Sequence, residues 1–236
     1  MDKDCYALSP MQEGMLFHTL RTPDLGVDIC QVMVDLAEDI DPIRFEEAWQ
    51  QLVERHAILR TSFQWENLNG PRQLVHEEIR IPITHRDWSG LEAGEQSARF
   101  VALLEEERRQ RFELAVAPLM RVVLIKSIGP SRFRFIWTYH HILLDARSLT
   151  LLLKEFFALY EGLCKGSCQR YKTRHPTGII LHGWSSRIGG KLNRSGGSTS
   201  TASTCPRPSL PQLLVRENQK TCRVLSGKAK LKLGKS

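Results

Sequence analysis

The sequence predicts an α/β fold over residues 1–165, a layered α+β domain in which helices flank a mixed sheet. Three observations predict it. Segments with apolar residues at helical spacing take turns with segments that alternate in period two, as half-buried strands do. Proline, glycine and capping residues punctuate the joins. The pattern then stops near Gly166, and residues 166–236 read as a basic, low-complexity tail.

The elements follow in order. Residues 10–20 place Met11, Met15, Leu16 and Leu20 at helical intervals, with Ser9 and Gln12 read as a helix cap and a core contact. Residues 29–36 alternate, with Cys30, Val32, Val34 and Leu36 on one face, and read as a strand. Asp41-Pro42 offers an N-cap followed by proline at the first helical position. The helix it opens carries Phe45, Ala48, Trp49, Leu52 and Val53 on one side. A strand is expected over residues 59–65 and another over 73–83, divided by the turn signal Asn69-Gly70-Pro71. Residues 95–112 form a charged helix with Phe100, Leu103 and Leu104 inward. Pro118 ends any continuation, and residues 119–125 read as a buried strand. Residues 131–139 alternate again, with Phe133, Phe135, Trp137 and Tyr139 on one face. Ser148 is the expected N-cap of the last helix, whose stripe is Leu149, Leu152, Leu153, Phe156 and Tyr160. Trp49, Trp65 and Trp137 are assigned to the core.

Net charge separates the two regions. Residues 164–236 hold 15 Lys and Arg against one acid, Glu217, whereas residues 1–163 hold 18 basic against 25 acidic side chains. The overall +7 therefore comes from the tail alone. Such a composition cannot bury enough apolar surface to offset chain entropy, so a disordered cationic tail is expected. A sharper reading is a changed reading frame. Taking the last base of each codon with the first two of the next, residues 176–184 can be back-translated to give YRDYLAWL. Residues 185–199 continue it as EQQDWGKAESFWRQY, a tryptophan-rich, charge-balanced and amphipathic peptide unlike the tail itself. On this reading much of residues 170–236 is a frameshifted translation.

Composition narrows the class of function. The start of the chain is acidic with no apolar run behind it, so no signal peptide is expected. No stretch nears the roughly 20 apolar residues of a membrane helix, and a cytoplasmic location is expected. The six cysteines lack paired zinc spacing, which argues for free thiols and no metal. The tail lacks the basic and aromatic interleaving of a nucleic-acid surface, so nucleic-acid binding ranks last.

Four blocks in the front region carry chemistry. They are Leu8-Ser9-Pro10-Met11-Gln12-Glu13-Gly14-Met15-Leu16-Phe17-His18, Arg55-His56-Ala57-Ile58-Leu59-Arg60-Thr61-Ser62-Phe63, Phe112-Glu113-Leu114 with Pro118-Leu119-Met120-Arg121, and His140-His141-Ile142-Leu143-Leu144-Asp145-Ala146-Arg147-Ser148. In that order and spacing they resemble the condensation domains of nonribosomal peptide synthetases over about the first 165 residues. The alternative-frame peptide resembles the segment that follows the catalytic helix in the same family. Without the other blocks, the His-His-x-x-x-Asp run would read as a buried polar cluster. It makes a poor metal site, because adjacent strand residues point to opposite sides.

The resemblance implies a chloramphenicol-acetyltransferase-like lobe, one of two that enclose a tunnel. It implies amide-bond formation between acyl and aminoacyl thioesters, each carried on the phosphopantetheine of a carrier protein, with no bound cofactor. Peptidyl and aminoacyl carrier proteins and the adenylation module of the same assembly line are the implied partners. An imidazole suits the removal of the amine proton, and general-base catalysis supplies roughly 10² to 10⁴ in rate. By resemblance His141 is that catalytic residue, as base or as the group that positions the amine. His140, Asp145, Ala146 and Ser148 support it, with Asp145 expected to bond an arginine. Ala146 stands where the family pattern has glycine, so a positive φ there would cost on the order of 1 kcal/mol. Arg55, His56 and Arg60 are fold-bracing groups, with Arg60 a candidate for the channel wall. The expectation is a truncated condensation domain, an acyltransferase by family and inactive as this piece. A one-lobe acyltransferase or carrier-binding module that completes itself by oligomerising is the alternative.

Overall fold

The computed structural model describes residues 4–22, 28–66, 68–127 and 132–166, and the backbone of two further segments, Gln212–Glu217 and Lys220–Val224. Nine strands and four helices are described, in the order β1 (Cys5–Ala7), α1 (Pro10–Arg21), β2 (Ile29–Leu36), α2 (Pro42–Arg55), β3 (Thr61–Gln64), β4 (Arg72–Val75), β5 (Ile83–Asp87), α3 (Ala93–Arg109), β6 (Met120–Lys126), β7 (Phe133–His140), α4 (Ala146–Cys164), β8 (Gln212–Glu217) and β9 (Lys220–Val224). The main sheet has the order β5-β6-β7-β2-β8-β9. Among these strands β5 and β6 pair in parallel and the other neighbours antiparallel, so the sheet is mixed, as the sequence predicts. A separate three-stranded sheet, β1-β4-β3, stands beside it.

The alternation of β2 and β7 builds the core. Cys30, Val32, Val34 and Leu36 join Phe133, Phe135, Trp137 and Tyr139 against α2 and α4. Met33 and Ile136, from the other face, meet Leu103 and Leu104 of α3. The sheet is thus covered on both faces, and its central strands carry apolar residues on both. Phe45, Trp49, Phe135 and Phe156 form a cluster of rings 4.5–6.4 Å apart, each at most 1% exposed. Burying each such ring contributes roughly 1.5–3 kcal/mol, which makes this cluster the anchor between the helical layer and the sheet.

Three expectations need correction. The stretch 73–83 is not one strand: β4 belongs to the small sheet and β5 to the large one. Pro82 has no N–H for a ladder, and its carbonyl instead accepts from Val122 N–H at 2.9 Å, where β5 joins β6. The strand expected over residues 59–65 begins only at Thr61, because Leu59 and Arg60 close a 3₁₀ turn over residues 57–60. The face of α1 is rotated from the one predicted, because Met11 and Leu20 are exposed while Gln12 and Leu16 are buried. Its inward face is partly polar, and hydrophobic periodicity cannot register that.

Part of the tail is described. Residues 167–211 and 225–236 lie outside the described residues, and so does most of the low-complexity stretch. Within it, β8 pairs antiparallel with β2 from Gln31↔Arg216 to Asp35↔Gln212, and β9 pairs with β8. Leu213-Leu214-Val215 is an apolar run too short to stand out in a composition averaged over the tail.

Candidate active site

The site begins where β7 ends. His140 is its last residue, and the pairing with β2 runs one step further: His141 N–H donates to the Asp28 carbonyl at 2.7 Å. The chain then turns tightly. Leu143 N–H donates to the His140 carbonyl at 3.1 Å, and Leu144 N–H to the His141 carbonyl at 3.3 Å. This turn fixes the directions of the two histidines.

His141 lies half-buried, and its Nδ1 sits 2.9 Å from the Leu144 carbonyl. A carbonyl only accepts, so Nδ1 carries the proton. In the neutral ring Nε2 then holds the lone pair, free to accept a proton. The short loop thus selects the tautomer that a base at Nε2 requires.

His140 is in a different environment. It is buried, and Ile142 N–H donates to its Nδ1 at 3.2 Å. Its Nε2 faces the Thr19 hydroxyl at 3.4 Å, and that hydroxyl donates to the Asp28 carboxylate at 2.6 Å. Burial pushes the His140 pKa down to about 4; nearby Asp28 acts in the opposite sense, and His141 adds a smaller lowering. His140 therefore stays neutral near pH 7; of the pair His141 is the less buried, and among the described residues its Nε2 has no hydrogen-bond partner.

The support residues are placed by α4. Asp145 is its N-cap, and its Oδ1 accepts from Ser148 N–H at 2.6 Å. That hydrogen bond chiefly holds the Asp145 carboxyl below its ordinary range; burial opposes it, while Ser148's side chain and Arg147 assist. Ser148, expected as the cap, is instead the capped residue, in the third position of the helix. Besides the helix terminus, Arg147 lies close enough to Asp145 to help hold its carboxyl low. Ala146 opens α4 in helical conformation, so the left-handed strain considered for it does not arise.

The second block is spread over a brace. Arg55 Nε and His56 Nε2 reach the two oxygens of Glu155 on α4, at 2.8 and 2.9 Å. Arg60 Nε donates to the Val53 carbonyl at 3.2 Å, and its Nη1 donates to the carbonyls of Glu77, at 3.0 Å, and His76. Arg60 thus ties α2 to the segment after β4. Ser9 and Gln12 form a capping box, and Gln12 Nε2 reaches Gln73 Oε1 at 3.4 Å. Among the described residues no three His, Cys, Asp or Glu side chains gather as a metal site, and no helix is long and apolar enough to cross a membrane.

Sequence reading missed Thr19 and Asp28, which between them contact both histidines. Thr19 could have been suspected, since it continues the inward face of Gln12 and Leu16 at helical spacing. Asp28 becomes visible only through the register that sets Ile29 opposite His140.

Comparison with known proteins points to one family. A family model described as Condensation domain matches residues 2–176. The chain is 41% identical over 164 residues to a linear gramicidin synthase of Brevibacillus parabrevis, covering 70% of this chain and 3% of that protein. It is 38% identical over 176 residues to bacitracin synthase 1 of Bacillus licheniformis, covering 75% of this chain and again 3% of the relative. The chain thus spans a small part of these relatives' length. Among solved structures it is similar to the starter condensation domain of a rhizomide synthetase, at 25% identity and a TM-score of 0.61, with 69% of this chain covering 40% of that one. A variant of the same starter domain has been solved with C8-CoA and Leu-SNAC.

Proposed function

Because this chain belongs to the condensation-domain family, we propose that it supplies the histidine-bearing wall of an amide-forming site. An acyl thioester is the donor and an aminoacyl thioester the acceptor, each on the phosphopantetheine arm of a carrier protein. The observation that carries this reading is the His141 ring, whose Nδ1–H is committed to the Leu144 carbonyl so that Nε2 presents a lone pair. As the acceptor amine adds to the thioester carbonyl, it becomes more acidic and passes its proton to Nε2. Collapse of the tetrahedral intermediate then expels the thiolate, which takes up the proton. Nothing in this sequence of steps calls for a metal or a bound cofactor. The natural partners on this reading are carrier proteins and the adenylation module of the same assembly line, in a soluble, cytoplasmic setting.

Amide formation from two tethered thioesters needs both aligned and water excluded. The region in common covers 40% of the solved starter domain, and the chain by itself is expected to be inactive. Two assays test the proposal together. The purified chain, given donor- and acceptor-loaded carriers, is expected to yield no amide product. Residues 4–166, grafted in place of the matching region of the rhizomide starter domain, are expected to restore product from C8-CoA and a leucyl thioester. A folded graft with no activity would overturn the proposal.

The alternative frame supports the same reading. The family match ends at residue 176, the position at which the alternative-frame peptide begins. We take the DNA past that point to continue the family in another frame. Sequencing it tests this directly: codons that cannot spell YRDYLAWL across residues 176–184 rule it out.

A further inference from the structure

We propose that Thr19 and Asp28 are positioning residues that set the tautomer of buried His140 and thereby hold the turn presenting His141. The proposal rests on the reading of His141 as the reacting group, but the geometry it invokes can be measured without any reaction.

Asp28 grips the two histidines by separate routes. Its main-chain carbonyl takes the His141 N–H at 2.7 Å, fixing where the turn leaves the sheet. Its carboxylate takes the Thr19 hydroxyl proton at 2.6 Å. A hydroxyl has one hydrogen, so the Thr19 oxygen, 3.4 Å from His140 Nε2, can offer that ring only a lone pair. The Met15 carbonyl, 3.0 Å from the same oxygen, is also an acceptor and leaves that conclusion unchanged. His140 must therefore carry its proton on Nε2. Its Nδ1 is then bare and accepts the Ile142 N–H at 3.2 Å.

The opposite tautomer would break two contacts at once. Nδ1–H would confront the Ile142 N–H, donor against donor, inside the turn that also places Leu144. Leu144 in turn supplies the carbonyl that holds His141 Nδ1–H. Four hydrogen bonds, joined through the backbone of the turn, thus connect Asp28 by way of Thr19, His140 and Ile142 to the Leu144 carbonyl that holds His141 Nδ1–H. Both partners lie outside the His-His-x-x-x-Asp run, on α1 and at the entry to β2.

Imidazole ¹⁵N NMR of the whole chain tests this. At pH 7 the wild type should show His140 as the Nε2–H tautomer and His141 as Nδ1–H. Thr19→Val removes the hydroxyl while keeping the shape. It should shift His140 toward Nδ1–H, speed Ile142 amide exchange at least tenfold and leave His141 as a mixture of tautomers. Thr19→Ser should restore the wild-type pattern. An Nδ1–H tautomer for His140 in the wild type would sink the proposal whether or not the valine variant folds. So would a folded Thr19→Val chain with both rings unchanged. Neither result would bear on whether His141 is the reacting group, which the graft assay decides separately.

Discussion

At the scale of residues, two adjacent histidines of the same chemistry are given opposite properties by their surroundings. His141 is half-buried with its Nδ1–H committed to Leu144, and His140 is buried with its pKa near 4. The buried ring makes stability depend on pH. Its folded pKa lies below the unfolded value of 6.5, so between these values the unfolded chain binds more protons. The contribution is fully present above pH 6.5 and is lost as pH falls towards 4. The difference corresponds to about 3 kcal/mol at most. Urea unfolding at pH 7 and pH 4.5 should show that loss in the wild type and a much smaller one in His140→Gln, despite its lower starting stability. Equal pH dependence in both would contradict the assignment of the burial effect to His140.

At the scale of elements, α4 joins the site to the rest of the fold. Its N-terminus is capped by Asp145, and removing a cap of this kind costs about 0.5–2 kcal/mol. Asp145→Ala should therefore lower the unfolding free energy by about 1 kcal/mol, and Asp145→Asn by much less, as read from denaturant midpoints. Ala146→Gly should bring no gain in stability, because the position is helical; a gain would mean that the left-handed reading was right. Downstream on the same helix, Glu155 receives both Arg55 and His56. The group is partly exposed, so solvent screening limits each pair, and Glu155→Gln should cost on the order of 1 kcal/mol. Much of this architecture was legible beforehand. The alternation in β2 and β7 and the stripes of α2, α3 and α4 follow from apolar period alone. The inward face of α1 was not legible, because Gln12 and Thr19 are polar and are turned inward by hydrogen bonds. The division of residues 73–83 between two sheets was hidden for a similar reason: strand propensity says nothing about partners. The position of His141 came from a motif, whereas its tautomer came from the Leu144 carbonyl, which no motif shows.

At the scale of the whole molecule, the mixed sheet carries the His141 loop at the end of a central strand, with helices packed on both faces. Removing the ring at the middle of that packing should be severe. Trp49→Ala is expected to cost about 3–5 kcal/mol and to broaden the near-ultraviolet dichroism, since Trp49 touches Phe45, Phe135, Trp137 and Phe156. The single-lobe alternative makes a different whole-molecule prediction, a stable oligomer with acyl-transfer activity of its own. Sedimentation of the purified chain separates the two readings, with no defined active oligomer expected here. The central claim is that His141, presented by this fold, is the group on which amide formation depends. Its most direct test is the rate of product formation by the residue 4–166 graft before and after His141→Ala. A fall of about 10² or more is expected, in keeping with the loss of a general base. A graft that makes product equally fast without the imidazole would contradict the account.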